Sequence, residues 1–60
     1  MLLWIVGSGY GKEWELQGIF TTKEKAFDNC VGNDWFVGGP VEVDTILPTE
    51  TLEFPNITYC

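Results

Sequence analysis

The run Leu2–Ser8, LLWIVGS, carries no charge and almost no polar atom. A strand with one wet face alternates apolar and polar residues. A run this apolar and this rich in β-formers therefore predicts a strand covered on both faces or placed centrally in a small sheet. The rest of a 60-residue chain has to supply that cover. Gly9 to Lys12, GYGK, places two glycines in three residues and predicts a tight or bulged turn. Residues 13–20, EWELQGIF, then return with period two: Trp14, Leu16 and Phe20 point one way, Glu13, Glu15 and Gln17 the other. The two runs form a hairpin with one wet face.

Thr21, followed three residues later by Glu24, matches a capping box that satisfies the free amides of a helix start. Ala26, Phe27, Cys30 and Val31 share one face at helical spacing, and Gly32 fits a left-handed helix stop. A helix of about ten residues is unstable alone and has to lay that face on the sheet. Residues 34–38, DWFVG, read as a short strand and Gly39-Pro40 as a break. Residues 41–46, VEVDTI, read as an edge strand with Glu42 and Asp44 exposed. The segment from Leu47 to Tyr59 is expected to run extended over the surface, pinned by Leu52, Phe54, Ile57 or Tyr59. These elements predict an α+β fold in one domain spanning 1–60. It is a small antiparallel sheet of three to four strands with one helix packed on a face, in the order strand, strand, helix, strand and extended C-terminal tail.

Composition excludes several functions. The chain has nine carboxylates against three lysines, with no arginine and no histidine, for a net charge of −6. Nucleic-acid binding draws on neutralised phosphates and on basic side chains at base edges, so no nucleic acid is expected as partner. No general base titrates near neutrality, no imidazole can hold a metal, and the single serine, Ser8, has no base to activate it. The chain is expected not to be an enzyme and to need no cofactor or metal. No apolar run approaches the ~20 residues of a membrane span. The opening residues lack the basic start of a signal peptide, so Asn56-Ile57-Thr58 is read as a chance glycosylation sequon and the location as cytoplasmic. Two cysteines are too few for a disulfide framework. Cys30 is read as a small hydrophobe on the helix face and Cys60 as a mobile end.

Ordering a chain this short costs about 1.5 kcal/mol per residue, which burial barely offsets. Nine aromatics on 60 residues supply more ring than so small a core readily holds. Surplus apolar surface is covered by another chain, so a homo-oligomer or an obligate partner is expected.

Three groups of residues are candidates for function. Thr21, Thr22, Lys23 and Lys25 surround a helix start whose amides favour an anion, and Trp14 or Trp35 could stack on a nucleotide base. Ordinary capping is the bland account, and Glu24 competes for the same amides. Glu42, Asp44, Glu50 and Glu53 form an acidic series able to imitate phosphates against a host enzyme, or to serve as a solvated guard on a sheet edge. A calcium loop is the weaker alternative, because the spacing matches no EF-hand. Trp35, directly after the helix, is either core or the anchor of a protein interface.

The order of motifs adds a resemblance. Trp14–Phe20 (W-E-x-Q-G-[IV]-F), Thr21–Ala26 ([ST]-[ST]-x-E-K-A), Cys30, Phe36–Gly38, Leu47–Thr51 and Phe54-Pro55 together resemble a family of small phage- and prophage-encoded proteins. The similarity covers roughly residues 3–60. It implies a viral or prophage origin and residence in a bacterial cell, and it supplies no catalytic residues. The resulting expectation is a non-catalytic phage accessory protein that binds and occludes a bacterial protein, as in counter-defence or host takeover. The alternatives are an oligomer that sequesters a small anionic nucleotide signal, and a virion or assembly component.

Overall fold

The computed structural model describes residues 1–60 in full. Its elements follow the predicted order: β1 (Leu2–Ser8), β2 (Glu15–Phe20), α1 (Lys23–Asp28), β3 (Trp35–Glu42), a 3-10 turn (Thr51–Glu53) and β4 (Thr58–Tyr59). The strands form one antiparallel sheet in the order β2-β1-β3-β4. The fold is α+β, with β1 paired on both sides as its uniform hydrophobicity requires.

Alternation along β1 and β3 splits the core between the two faces of the sheet. On one face Val6 and Val37 pack with Ala26 and Cys30, flanked by Trp4, Phe20 and Trp35. On the other, Ile5 and Phe36 pack with Phe54, flanked by Trp14, Val41, Leu47, Ile57 and Tyr59. The helix covers the first face and the C-terminal segment covers the second. Each layer therefore buries rings that a one-sided sheet would leave wet, and of the nine aromatics only Tyr10 and Phe27 are exposed.

The helix is shorter than its pattern suggests and starts one residue later. Thr22, not Thr21, is the N-cap, its hydroxyl accepting from the Lys25 amide at 3.2 Å. Adjacent threonines offer two frames, and the one chosen lets Ala26 and Cys30 reach the sheet. The helix ends at Asn29, whose side-chain amide donates to the Lys25 carbonyl at 2.8 Å. Gly32 is not the helix stop. It lies under Trp35, where a β-carbon would fall 2.2 Å from the indole. With the helix ended, Val31 is left exposed, and Phe27 sits at the helix margin. Thr22→Ala should cost about 1 kcal/mol, the usual loss of an N-cap. A melting curve should show that loss, while Thr21→Ala should leave the curve unmoved.

β3 runs straight through the expected break at Gly39-Pro40 and ends at Glu42. Its ladder with β1 shifts register between Leu3 and Ile5, so the proline, which has no N–H, sits where the ladder skips a residue. Val43 and Asp44 then form a turn, not the continuation of an edge strand. Asp44 adopts φ 67°, a left-handed conformation that aspartate tolerates better than most residues.

The C-terminal segment is more firmly tied than an extended tail. Thr51 is buried, and its hydroxyl accepts from the Gly11 amide while its own amide donates to the Gly11 carbonyl, each at 3.0 Å. The Gly39 amide donates to the Pro55 carbonyl at 2.8 Å. Tyr59 donates its hydroxyl to the Gly9 carbonyl at 2.9 Å and stacks on Tyr10 at 4.7 Å. Leu52 plays no part in the anchoring and is exposed. Cys30 and Cys60 are joined in a disulfide with Cα atoms 6.1 Å apart, so neither the free-thiol reading of Cys30 nor the mobile reading of Cys60 holds. The sequence-local argument failed because the helix end and the last strand meet only in the folded chain.

Candidate functional site

Where the sheet passes from β1 and β2 to the end of β3, the C-terminal segment leaves the second face incompletely covered. Leu3 and Ile5 of β1, Ile19 of β2, and Val41, Val43 and Leu47 line a cleft of about 230 Å³ there. Its apolar floor is dictated by strand parity: Ile5 pairs with Ile19 and Leu3 with Val41, and paired residues share a face. Ile19 and Val43 are its exposed lining residues, and Ile46, between the lining residues Thr45 and Leu47 in the chain, is 93% exposed. Leu16 extends the strip, since it pairs with Gly7, whose missing side chain leaves room for the Phe36 ring on that same face. Glu42 and Asp44 border the cleft. The arrangement is an apolar patch with an acidic rim.

The acidic series is not one patch. Glu42 and Asp44 sit at the end of the sheet where Leu2 pairs with Glu42. Glu50 and Glu53 flank Thr51, which is bonded to the Gly11 turn at the opposite end. Four carboxylates divided in this way cannot follow a phosphate backbone as a continuous run, and they do not gather as a metal-binding cluster. Glu42 also has a basic partner, accepting from the Met1 ammonium at 2.9 Å. Glu53 accepts weakly from the Thr49 hydroxyl at 3.5 Å.

The residues proposed for anion capture are not brought together either. Thr22 is consumed in capping, Thr21 is exposed, and Lys25 lies on the solvated side of the helix. Trp14 is on the opposite face of the sheet, with its ring edge-on to Phe36 and Phe54 at 5.9 and 5.1 Å. It cannot stack on a ligand held at the helix start. Lys23 alone borders a larger cleft of about 610 Å³, between α1 and the C-terminal segment, with Phe27, Val37, Gly39, Asn56 and Thr58. Asn56 and Thr58 already spend their side-chain donors on the Gly39 and Asn56 carbonyls.

Trp35 packs against the core cluster under the helix and is half-buried. It belongs to the interior, and Phe36, its neighbour in sequence, fills the other face as alternation requires. The residues that sequence reasoning missed are Leu3, Ile19, Val41, Val43 and Leu47. Their signal is their apolar character in positions that local pattern assigned to a covered strand or a wet edge. Compared with models of known protein families, with curated proteins and with solved structures, the chain finds no match.

Proposed function

We propose that this is a non-catalytic binding protein, a phage accessory factor that occludes a bacterial protein through the Leu3–Val41–Leu47 cleft. The observation that carries the reading is the coincidence of exposed aliphatic side chains, Ile19 and Val43, with an apolar floor and the Glu42 and Asp44 rim, next in the chain to the exposed Ile46. The net charge of −6 extends that rim's field over the molecule. The partner this surface fits presents aliphatic or aromatic residues flanked by lysine or arginine, so that its basic groups meet the acidic rim while its apolar residues fill the floor.

The test is capture from host lysate with the parent and two variants. Ile46→Lys should reduce recovery of the specific partner at least tenfold, by placing a charge in the apolar contact. Glu42→Gln with Asp44→Asn should slow association and flatten its salt dependence, with the turn preserved because asparagine also tolerates the left-handed conformation. Recovery that is indifferent to both variants, but lost on Lys23→Ala with Lys25→Ala, would move the function to the helix side.

The disulfide favours a second reading. Such bonds persist where thiols are oxidised and are rare in the reducing cytosol, so the mature form fits a particle or the periplasm better than a cytoplasmic location. No helix of the chain is long and apolar enough to cross a membrane. A virion or assembly component meets these conditions. Trapping thiols in intact infected cells and weighing the protein would separate the two: an alkylated, reduced form inside cells supports occlusion in the cytoplasm. An oxidised form recovered with purified particles supports the virion reading.

A further inference from the structure

We propose that β2 pairs antiparallel with β2 of a second copy about a two-fold axis at the Gln17–Gly18 peptide, joining the two sheets into one of eight strands. The strand order leaves β2 as a six-residue edge, whereas the other edge strand, β4, has only two residues. An unpaired edge is a template for another strand unless guarded, commonly by lysine or proline. β2, ELQGIF, contains neither, and its one irregularity, the bulge at Gln17, falls at the proposed axis, where both copies carry it.

The register follows from the side-chain directions. Residues paired across a ladder share a face. Phe20 and Gly18 pair with Trp4 and Val6 and so face the helix; Glu15 pairs with Ser8 and does the same. Ile19 and Leu16 pair with Ile5 and Gly7 and face the C-terminal segment. Between them the ladder shifts by one residue, and Gln17 also faces the helix side, donating to the Ser8 hydroxyl at 2.9 Å. The bulge therefore puts Leu16 and Ile19 on the same face although they are three residues apart.

That parity singles out one two-fold register. A regular strand pairs face to face with its own copy only about an axis through a residue. Here, axes through Gln17 or Gly18 would set Leu16 against a helix-facing residue. An axis through the Gln17–Gly18 peptide matches all six residues: Leu16 with the other copy's Ile19, Gln17 with Gly18, and Glu15 with Phe20. The two Glu15 carboxylates are then kept at opposite ends of the ladder, so no like charges meet across it. The half-exposed Leu16 and Ile19 (47% and 52%) become a four-residue apolar strip continuous with Ile5. A second copy is the occupant because the edge is self-complementary in face and its only charges, the two Glu15 carboxylates, stay apart.

Sedimentation over micromolar to millimolar concentrations tests the pairing on the intact, oxidised chain. The parent should dimerise. Leu16→Lys and Ile19→Glu, each at an exposed position, should each weaken the dimer at least tenfold while circular dichroism stays unchanged. Combined, L16K with I19E should restore it, because each new ammonium then faces a new carboxylate across the axis. In the parent, amide exchange over residues 15–20 should slow as concentration rises. A monomer at millimolar concentration would overturn the proposal, as would a dimer unaffected by either single change, or a double variant that stays dissociated. Should a single variant lose its fold, the concentration dependence of exchange in the parent decides alone.

Discussion

Reducing the Cys30–Cys60 disulfide should lower the midpoint of thermal unfolding by roughly 15–25 °C. The bond closes a loop with a sequence separation of 30. In the chain-entropy view, a closure of this size stabilises by about 3–4 kcal/mol, between the values for 15- and 100-residue loops. In a domain this small, 1 kcal/mol moves the midpoint by about 4–8 °C. The effect is large relative to the whole, because a single core in a chain of this length rarely supplies more than about 3–5 kcal/mol. Cys30→Ala with Cys60→Ser should reproduce most of it, since alanine at the buried position 30 removes little volume. Matched scans with and without reductant are the measurement. A shift under about 5 °C would mean that the Thr51–Gly11 and Tyr59–Gly9 bonds hold the C-terminal segment without covalent help.

Phe36→Ala should unfold the oxidised chain or leave it marginal. The ring is fully buried and touches the Trp14, Phe54 and Tyr59 rings, with centroids 5.4–5.9 Å away. It also occupies the space over Gly7. Truncating a buried phenylalanine typically costs about 3–5 kcal/mol, comparable to all that the core itself supplies in a chain of this size and leaving the disulfide as the main support. Urea unfolding followed by tryptophan fluorescence would report it, because Trp14 leans on the lost ring. Trp35→Ala, on the other face and only partly buried, should cost less. Equal losses would mean that Trp35 carries as much of the packing energy as the fully buried Phe36.

Much of the architecture was legible in the sequence, and the failures have specific physical causes. β1 and the presence of the hairpin and helix were readable because their patterns are local, but the period-two reading of residues 13–20 fails: the bulge at Gln17 leaves Trp14 and Leu16 on the face of the C-terminal segment and turns Phe20 to the helix face. β3 was misread because Gly39-Pro40 breaks a strand in isolation, whereas here the register shift beside Leu3 gives the proline a place in the ladder. The N-cap was displaced by one residue because Thr21 and Thr22 are chemically equivalent, and only the docking of Ala26 and Cys30 on the sheet distinguishes them. The disulfide depends on two residues that no local pattern relates. Of the candidate site, only Glu42 and Asp44 were named from sequence. The cleft they border is built from strands distant in the chain, and the rings and acids singled out earlier mostly serve the interior, the cap or the opposite end of the sheet.

The second core layer is contributed last as the chain is made. Phe54, Thr51 and Tyr59 complete contacts with Ile5, Gly11 and Gly9, partners synthesised some 40 to 50 residues earlier. Until residues 51–59 have been made and docked, the face carrying Ile5 and Phe36 has no cover. Folding is thus dominated by contacts between distant parts of the chain, a topology associated with slow folding. Before that docking, one side of the most hydrophobic strand is open to solvent, and a stop codon placed before Thr51 would yield a product that never conceals it.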